Sequence, residues 1–493
     1  MSTPFLPSLR PIHYASIGAL FLFVALSLAG AGGAMVRDTD PLWHIAAGDW
    51  IWQHHAIPQH DPWSFTAGEY RWLDISWAWD AWFSFLYAQG GWQEAASVNA
   101  LIIGLTVALI YAACLARSGG MGASLIATLG AVTLLSLHLR PLQITDLMTA
   151  LWLLILGGVS RGQCRAAWLT ALPVSMMIWV NMHGGFVVGP ILLAAFFLQA
   201  LWDRRYRLAM HLCLCGLATL AALLCNPYGW QIFEATWRPL TTVANRFINE
   251  WQPLTLSPHV LLLHLYAVLF LILTPRRLLP VAAAERWLAY FWLLMGVISI
   301  RHMYIFAIVS APVFACFLQA RLGRFAWPAH AVAIRKTLLR YYDRPLIAIM
   351  TGLLSVALCV WLPSASPRLY GQQPVEIPEL HAETAFIRAH YPQSCLLTHF
   401  NLGGIILYET RGAIPVFIDP RTETAYPPAV LKDYWRFLKA QPGWEDIFAR
   451  YRLDGVLLPN DDEDVLLDRF RGHAGWTEAF RGPHATLFLR SAP

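Results

Sequence analysis

From residue 14 to residue 363 the chain repeats one feature, runs of about 17–22 apolar residues separated by polar links. A helix of that length crosses the hydrocarbon core of a bilayer, and in lipid a helix is the form in which one segment satisfies its own backbone polar groups. Spans are expected near 14–36, 94–115, 121–138, 143–160, 166–181, 184–202, 208–226, 258–275, 283–300, 302–320 and 345–363, about eleven in all. Composition agrees: 57% of residues are hydrophobic and 13% are charged, where a soluble domain carries about 25% charged residues. The fold class expected is a polytopic α-helical membrane protein, with residues 1–363 as the membrane domain and 364–493 as a smaller α/β domain.

The net charge of +5 does not point to nucleic acid, because the basic residues are scattered among loops and form no stripe. Of the eight cysteines, all but Cys395 lie in or beside apolar runs, so the last stretch has no internal disulfide partner. Cys213 and Cys215 fall on different sides of a helix, a poor arrangement for a metal, and the cysteines read as small core residues. Arg10 and the apolar run ending in LAGAGGAM also have the outline of a signal peptide; in either case the residues that follow emerge on the same side.

Basic residues set the orientation. Arg117; Arg161 and Arg165; Arg204, Arg205 and Arg207; Arg276, Arg277 and Arg286; and Arg321 to Arg344 occupy alternate loops. With Arg10 that set holds about 16 basic residues against about 6 in the opposite loops, which places it in the cytoplasm. The N-terminus is then cytoplasmic, and residues 37–93 and 364–493 lie outside, in the periplasm of a bacterial inner (plasma) membrane protein. The outer face collects Asp38, Asp40, His44, Asp61, Arg140, Asn181, His183, Asn226, Glu250, Arg301 and His302. The middle of each span is read as free of carboxylates and amines, whereas ion and proton pumps keep ionisable groups at mid-membrane. The expectation is a site at the outer interface.

The first outer loop, 37–93, is long for a connection without a purpose. It holds Trp43, Trp50, Trp52, Trp63, Trp72, Trp77, Trp79, Trp82 and Trp92 out of 23 tryptophans in the chain, and indole favours the headgroup layer. Two amphipathic surface helices are expected, one from Asp40 to about His54 and one from about Leu73 to Ala88, joined by turns at Pro58 and at DPWSFT (Asp61–Thr66). Asp40 before Pro41 reads as a helix N-cap. That leaves Asp38, and it leaves His44, one helical turn beyond Asp40. Asp61 before Pro62 reads first as a turn former; Asp49, Glu69 and Asp74 read as solvated. An interfacial carboxylate can deprotonate an acceptor hydroxyl, or hold a divalent cation (Mg or Mn) against a phosphate leaving group. Both tasks suit a donor whose polyprenyl tail lies in membrane lipid with its phosphate at headgroup level.

An Asp-x-Asp motif opening a long first external loop resembles the GT-C superfamily of glycosyltransferases, multi-spanning enzymes that use polyprenyl-phosphate-linked sugars. D-x-D-x-x-W-H (Asp38 to His44), I-P-x-x-D-P-W-S-F-T (Ile57–Thr66), W-x-N-x-H-G-G-F (Trp179–Phe186), N-P-Y-G (Asn226–Gly229) and N-E-W (Asn249–Trp251) are similar to a group of bacterial GT-C-like membrane proteins. The resemblance covers nearly the whole chain. It implies that Asp38 and Asp40 stand where the family keeps its catalytic acid, without saying which is the base, and that the partners are a polyprenyl-phosphate-linked sugar and a glycan, lipid or protein acceptor.

Among the other outer groups, His183 sits where one span gives way to the next, with Gly184 and Gly185 allowing a tight re-entry. It reads either as a satisfied helix-end histidine or as a phosphate contact. Arg301 and His302 lie between two spans with no acid nearby in sequence; a donor phosphate would explain the arginine, as would an ion pair to Asp38, Asp40 or Glu250. Arg140 reads as a lipid-headgroup anchor, and Asn249 and Glu250 as candidates for binding acceptor.

In 364–493 strands are expected at SCLLTHF, IPVFID, DGVLLP, WTEAF and ATLFLRS. Helices are expected at NLGGIILYET, PPAVLKDYWRFLKA, GWEDIFARY and EDVLLDRFRG, giving an α/β sandwich with a largely parallel sheet. HFNLGGIILYE and VFIDPRTE resemble the segment opening the external domain of the same bacterial group. They are also faintly similar to the acceptor-recognition segment of oligosaccharyltransferases, but lack its paired tryptophans and aspartate, so peptide-acceptor binding does not carry over. Asn401, Asp419 and Arg421 lie where strand ends meet helix starts, a frequent ligand position; the plainer reading makes them a cap, a turn and a surface ion pair. Two other classes of function stay open: a transporter of lipid-linked saccharide or polysaccharide, and a non-catalytic assembly subunit.

Overall fold

The computed structural model describes residues 9–36, 38–242, 245, 248–254, 261–273, 281–324, 330, 333–334, 337, 342–371, 375, 377–460, 465–473 and 475–490. The chain divides into two compact units. The first comprises residues 1–35, 90–229 and 250–373, and the second 36–89, 230–249 and 374–493.

In the first unit the apolar runs are helices, as the pattern requires. Seven helices among the described residues are long and apolar enough to cross a membrane: Pro11–Ala31, Trp77–Ser118, Leu142–Ser160, Gly184–Trp202, Tyr206–Leu223, Ile300–Leu322 and Pro345–Tyr370. Met121–Val132, Ala166–Met182 and Leu261–Ile272 are shorter apolar helices, and Ala283–Ile298 is another helix. Outward side chains such as Leu214, Leu217, Leu353 and Val360 are exposed; in water so much apolar surface would drive association, whereas lipid tails solvate it.

Packing between these helices uses small residues and short polar bridges. Helix Pro11–Ala31 lies along Pro345–Tyr370, and Phe21, Ala25, Ala29, Ala96, Ala100, Leu358 and Leu362 share one buried cluster. Ser97 Oγ donates to Ser366 Oγ at 2.6 Å, and Gln93 Nε2 donates to the Ala29 carbonyl at 2.8 Å. Such bonds contribute about 0.6 kcal/mol each inside a membrane protein, so close van der Waals packing carries most of the association. Asp146 is fully buried near the start of helix Leu142–Ser160, one turn in from its end and not at its middle. Arg117 and Glu285 are buried too, joined by a 2.8 Å bond from Nε to Oε1.

The second loop helix begins later than its apolar pattern suggests, at Trp77, and runs on to Ser118 through a break at Gly90 and Gly91. Gly91 has φ +65°, a conformation that costs glycine little and other residues more. The boundary between the two units falls at this break.

In the second unit a four-stranded sheet runs in the order β1-β2-β4-β3, with β1 Leu396–Thr398, β2 Gly455–Pro459, β3 Trp476–Arg481 and β4 Ala485–Arg490. Only β1 and β2 are parallel; β4 pairs antiparallel with both β2 and β3. The largely parallel sheet expected from the sequence is therefore corrected to a mixed one. The apolar run IPVFID is buried but is not a strand of this sheet; Val416 makes a single parallel bridge to Ser64 of the first loop. Helix Phe400–Thr410 packs on helix Asp40–His54.

Candidate functional site

The Asp-x-Asp segment sits at the start of helix Asp40–His54. Thr39 is the N-cap and Asp40 the first helical residue, so Asp40 is not the cap expected. Asp38 does the turn's work: its Oδ1 accepts the Asp40 amide at 3.0 Å. Both acids are partly exposed, and Asp40 sits at the helix N-terminus, where the partial charge is positive.

A buried polar group backs this turn. His44 Nδ1 and Asp80 Oδ1 are 2.6 Å apart, both side chains almost wholly buried. A carboxylate at that distance holds the imidazole in one orientation. His44 therefore packs inward, not on a shared outer face with Asp40. Asp74, read as solvated, is buried, and its Oδ1 accepts from the Ser76 amide and hydroxyl, each at 3.2 Å. Burial, reinforced by the charge of Asp80, pushes the Asp74 carboxyl well above the usual carboxylate range. Asp49 and Glu69 are exposed, as expected.

The resembling segments DPWSFT and VFIDPRTE meet in a second buried knot. Arg421 Nε donates to Asp419 Oδ1 at 2.8 Å, Nη2 to Asp419 Oδ2 at 2.5 Å, and Nη1 to Asp61 Oδ1 at 2.8 Å. The side chains of Asp61, Asp419 and Arg421 are 0% exposed, which replaces the surface ion pair expected of Arg421 with an interior one. The guanidinium lies 4.8 Å from the Trp63 ring and 4.6 Å from Trp72. Two carboxylates face one cation, and the surplus negative charge is spread over further donors: Tyr426 hydroxyl to Asp419 at 2.5 Å, and the Trp63 and Ser64 amides to Asp61. Burial and the Asp419 charge push the Tyr426 phenol well up, and the paired carboxylates hold Arg421 firmly protonated. Asn401 is exposed and is not a cap; His399 is, its side chain accepting the Asn401 amide.

The remaining candidates lie in the first unit. Arg140 is paired with Glu250. The Arg301 guanidinium lies 4.8 Å from the Trp251 ring, and among the described residues it has no carboxylate within ion-pair distance. His302 packs near Trp292 and Trp251. His183 Nδ1 accepts the Gly185 amide at 3.2 Å and lies 2.7 Å from the Thr145 hydroxyl, which itself accepts Trp179 Nε1 at 3.0 Å. Acceptance from an amide leaves Nδ1 unprotonated in that arrangement, and Nε2 then carries the ring proton. Asn226 forms the NPYG turn through the Tyr228 amide at 2.8 Å. The side chain of Asn249 lies outside the described residues.

Two acids escaped sequence reasoning. Asp80 was hidden in an aromatic helix, 36 residues from its partner His44. Neither oxygen of Asp146 finds a hydrogen-bond partner among the described residues, and the signal available was an ionisable residue inside an apolar span. No group of three or more His, Cys, Asp or Glu side chains gathers as a metal site among the described residues. Asp38 and Asp40 offer two carboxylates, a number Mg2+ accepts when phosphate and water complete its shell.

No protein-family profile and no curated protein sequence matches the chain. Among solved structures it is similar to the oligosaccharyltransferase of Archaeoglobus fulgidus in its apo form, with a TM-score of 0.56 and 13% identity over 90% of this chain and 69% of that one. It is equally similar to AglB from the same organism in complex with an inhibitory peptide and a dolichol-phosphate, with a TM-score of 0.56 and 12% identity over 90% and 69% of the two chains. ArnT from Cupriavidus metallidurans bound to undecaprenyl phosphate gives a TM-score of 0.49 and 15% identity over 96% and 98%. At these identities it is the architecture alone that is shared: the chain has the fold of the archaeal oligosaccharyltransferase.

Proposed function

We propose that this chain is a membrane glycosyltransferase that moves a sugar from a polyprenyl-phosphate-linked donor to an acceptor on the periplasmic face of a bacterial inner membrane. In this reading it crosses the membrane about eleven times, with its N-terminus in the cytoplasm and residues 37–93 and 364–493 outside. The observation that carries the reading is the partly exposed Asp38–Asp40 pair, held at a helix start by a buried scaffold, in a fold shared with a protein whose structure holds a dolichol-phosphate.

Asp40 is the general base. The acceptor hydroxyl oxygen attacks the anomeric carbon, its proton passes to the Asp40 carboxylate, and the bond from that carbon to the phosphate oxygen breaks. Polyprenyl phosphate leaves with the electron pair. Asp38 shapes the turn that presents Asp40. A divalent cation, Mg2+ or Mn2+, would be held by the two carboxylates with donor phosphate oxygens, and would neutralise charge on the leaving phosphate. In the first unit Arg301, without a carboxylate partner among the described residues, is a candidate ligand for a donor phosphate, as are His302 and His183. Asp61, Asp419 and Arg421 act as positioning residues for the first loop.

The test compares Asp38→Asn and Asp40→Asn, alone and combined, by mass spectrometry of polyprenyl-phosphate sugar and outer-surface glycan in cells lacking the native chain. Asparagine at 38 still accepts the Asp40 amide, so that variant keeps most activity. Asparagine at 40 removes the base and lowers transfer by about 10²–10⁴-fold. Full activity of the Asp40→Asn variant refutes the base assignment, and full activity of the double variant refutes the enzyme.

A further inference from the structure

Outside the Asp-x-Asp turn and the Arg421 knot, the second unit carries a pocket of about 420 Å³, lined among others by Tyr70, Arg238, Glu423, Lys432, Trp435 and Arg436. We propose that it binds an anionic sugar, either a uronate or a sugar phosphate. Its size lies in the range of small-ligand sites, which runs from about 300 to 1,000 Å³.

The lining residues supply two kinds of recognition. Tyr70 and Trp435 give flat ring surface of the sort that covers the apolar face of a sugar ring while their polar tips stay wet. Arg238 keeps the Tyr70 wall in place: its guanidinium lies 4.7 Å from the Tyr70 ring, and it bonds Glu234 at 2.9 Å and the Arg71 carbonyl at 3.2 Å. Its charge is thus already matched. The other two cations are differently placed. Asp433 accepts Arg450 at 2.5 Å and the Tyr451 hydroxyl at 3.0 Å, and Arg436 stands off from it at 3.8 Å. Lys432 is exposed and has no ion pair among the described residues.

Positive charge is therefore left over at one side of the pocket, on helix Pro428–Leu438. Glu423, mostly buried, lines the same pocket. A carboxylate there repels a compact anion that fills the pocket, and accepts hydrogen bonds from hydroxyl groups. A ligand with its acid at Lys432 and Arg436, hydroxyls toward Glu423 and a ring against Trp435 meets all three demands. Neither a neutral sugar nor inorganic phosphate does. As an acceptor subsite the pocket rests on the transferase reading; as a binding site it does not.

The experiment titrates the full-length chain in detergent, by isothermal calorimetry without donor lipid, with glucuronate, glucose 1-phosphate, glucose and inorganic phosphate. Saturable binding of both charged sugars is expected, about tenfold tighter than glucose or phosphate, and about tenfold weaker in a Lys432→Gln, Arg436→Gln double variant. The Asp40→Asn variant binds as the wild type does, so loss of the transferase reading leaves this result standing. No saturable binding of either charged sugar, equal binding of inorganic phosphate, or an unchanged double variant overturns the proposal.

Discussion

Replacing Arg421 with methionine should open the second unit locally, and the size of the effect follows from the charges left behind. The guanidinium makes three bonds of 2.5–2.8 Å to Asp419 and Asp61, and all three side chains are 0% exposed. Methionine fills much of the volume between Trp63 and Trp72 but leaves two carboxylates buried without their cation. Breaking a buried ion pair from one side costs about 3–5 kcal/mol. At about 1.4 kcal/mol per decade, that is a rise of roughly 10²–10⁴-fold in the open population. Asp61→Asn is the contrasting case. The asparagine oxygen still accepts from Arg421 Nη1 and the Trp63 amide, and Asp419 alone still neutralises the guanidinium; only the acceptor of the Ser64 amide is lost, so the cost is about 1–2 kcal/mol. Arg421→Lys falls between, keeping the charge and losing the fork that serves two acids at once. Hydrogen exchange of the Trp63 and Val416 amides reads the opening directly, because Val416 donates to the Trp63 carbonyl at 3.2 Å and the Trp63 amide donates to Asp61. Equal exchange in Arg421→Met and Asp61→Asn would refute the reasoning, since the ionic knot would then not be what holds the loop.

Three further outcomes are expected. Arg301→Gln should raise the apparent KM for donor lipid by about tenfold or more with little change in thermal stability, and Arg301→Lys should restore only part of it; an unchanged KM removes Arg301 from the donor site. The raised Asp74 carboxyl means the folded chain binds its proton more tightly than the unfolded chain does. Its share of stability is complete below about pH 3.9 and declines as pH climbs toward the raised value. Asp74→Asn, which keeps an acceptor for Ser76, should flatten that decline in thermal melts between pH 4 and 8, and an identical slope would contradict it. Asp146→Leu should melt no lower than the wild type, because it removes a buried acid without a hydrogen-bond partner among the described residues. Transfer should nonetheless fall about tenfold or more if the acid is retained for function, and full activity would assign it no role.

Much of this architecture is legible in the sequence because the membrane imposes a simple rule: a long apolar run has to be a helix. Helix Asp40–His54 is legible for a local reason, a proline inside its first turn followed by an apolar stripe. Where the reading fails, the deciding contact is remote. IPVFID has the composition of a strand, but the residue it bridges, Ser64, belongs to the first loop, and alternation says nothing about partners. Strand direction is hidden for the same reason, since β3 and β4 form a tight hairpin that the helix-strand alternation before them does not foreshadow. Arg421 reads as a surface residue until Asp61, 360 positions away, is placed against it. The apolarity of Leu73 suits it to the second loop helix, yet the buried Asp74–Ser76 turn delays the start to Trp77.

The segment HFNLGGIILYE shows how far apart in sequence the parts of one local structure can be. A glycine within a helix costs about 1 kcal/mol relative to alanine, and helix Phe400–Thr410 carries two in succession. A Cβ on Gly404 would lie 3.3 Å from the carbonyl oxygen of Thr39, and one on Gly403 would collide with the Ile418 carbonyl oxygen. The first contact reaches the residue between Asp38 and Asp40; the second reaches the residue before Asp419. Both glycines are therefore needed for a close approach, so that a single helix can press at once on the acidic turn and on the segment that carries the Arg421 knot. The acids of the first loop are set in place by residues from the end of the chain, and the second unit is best understood as the frame of the Asp-x-Asp turn.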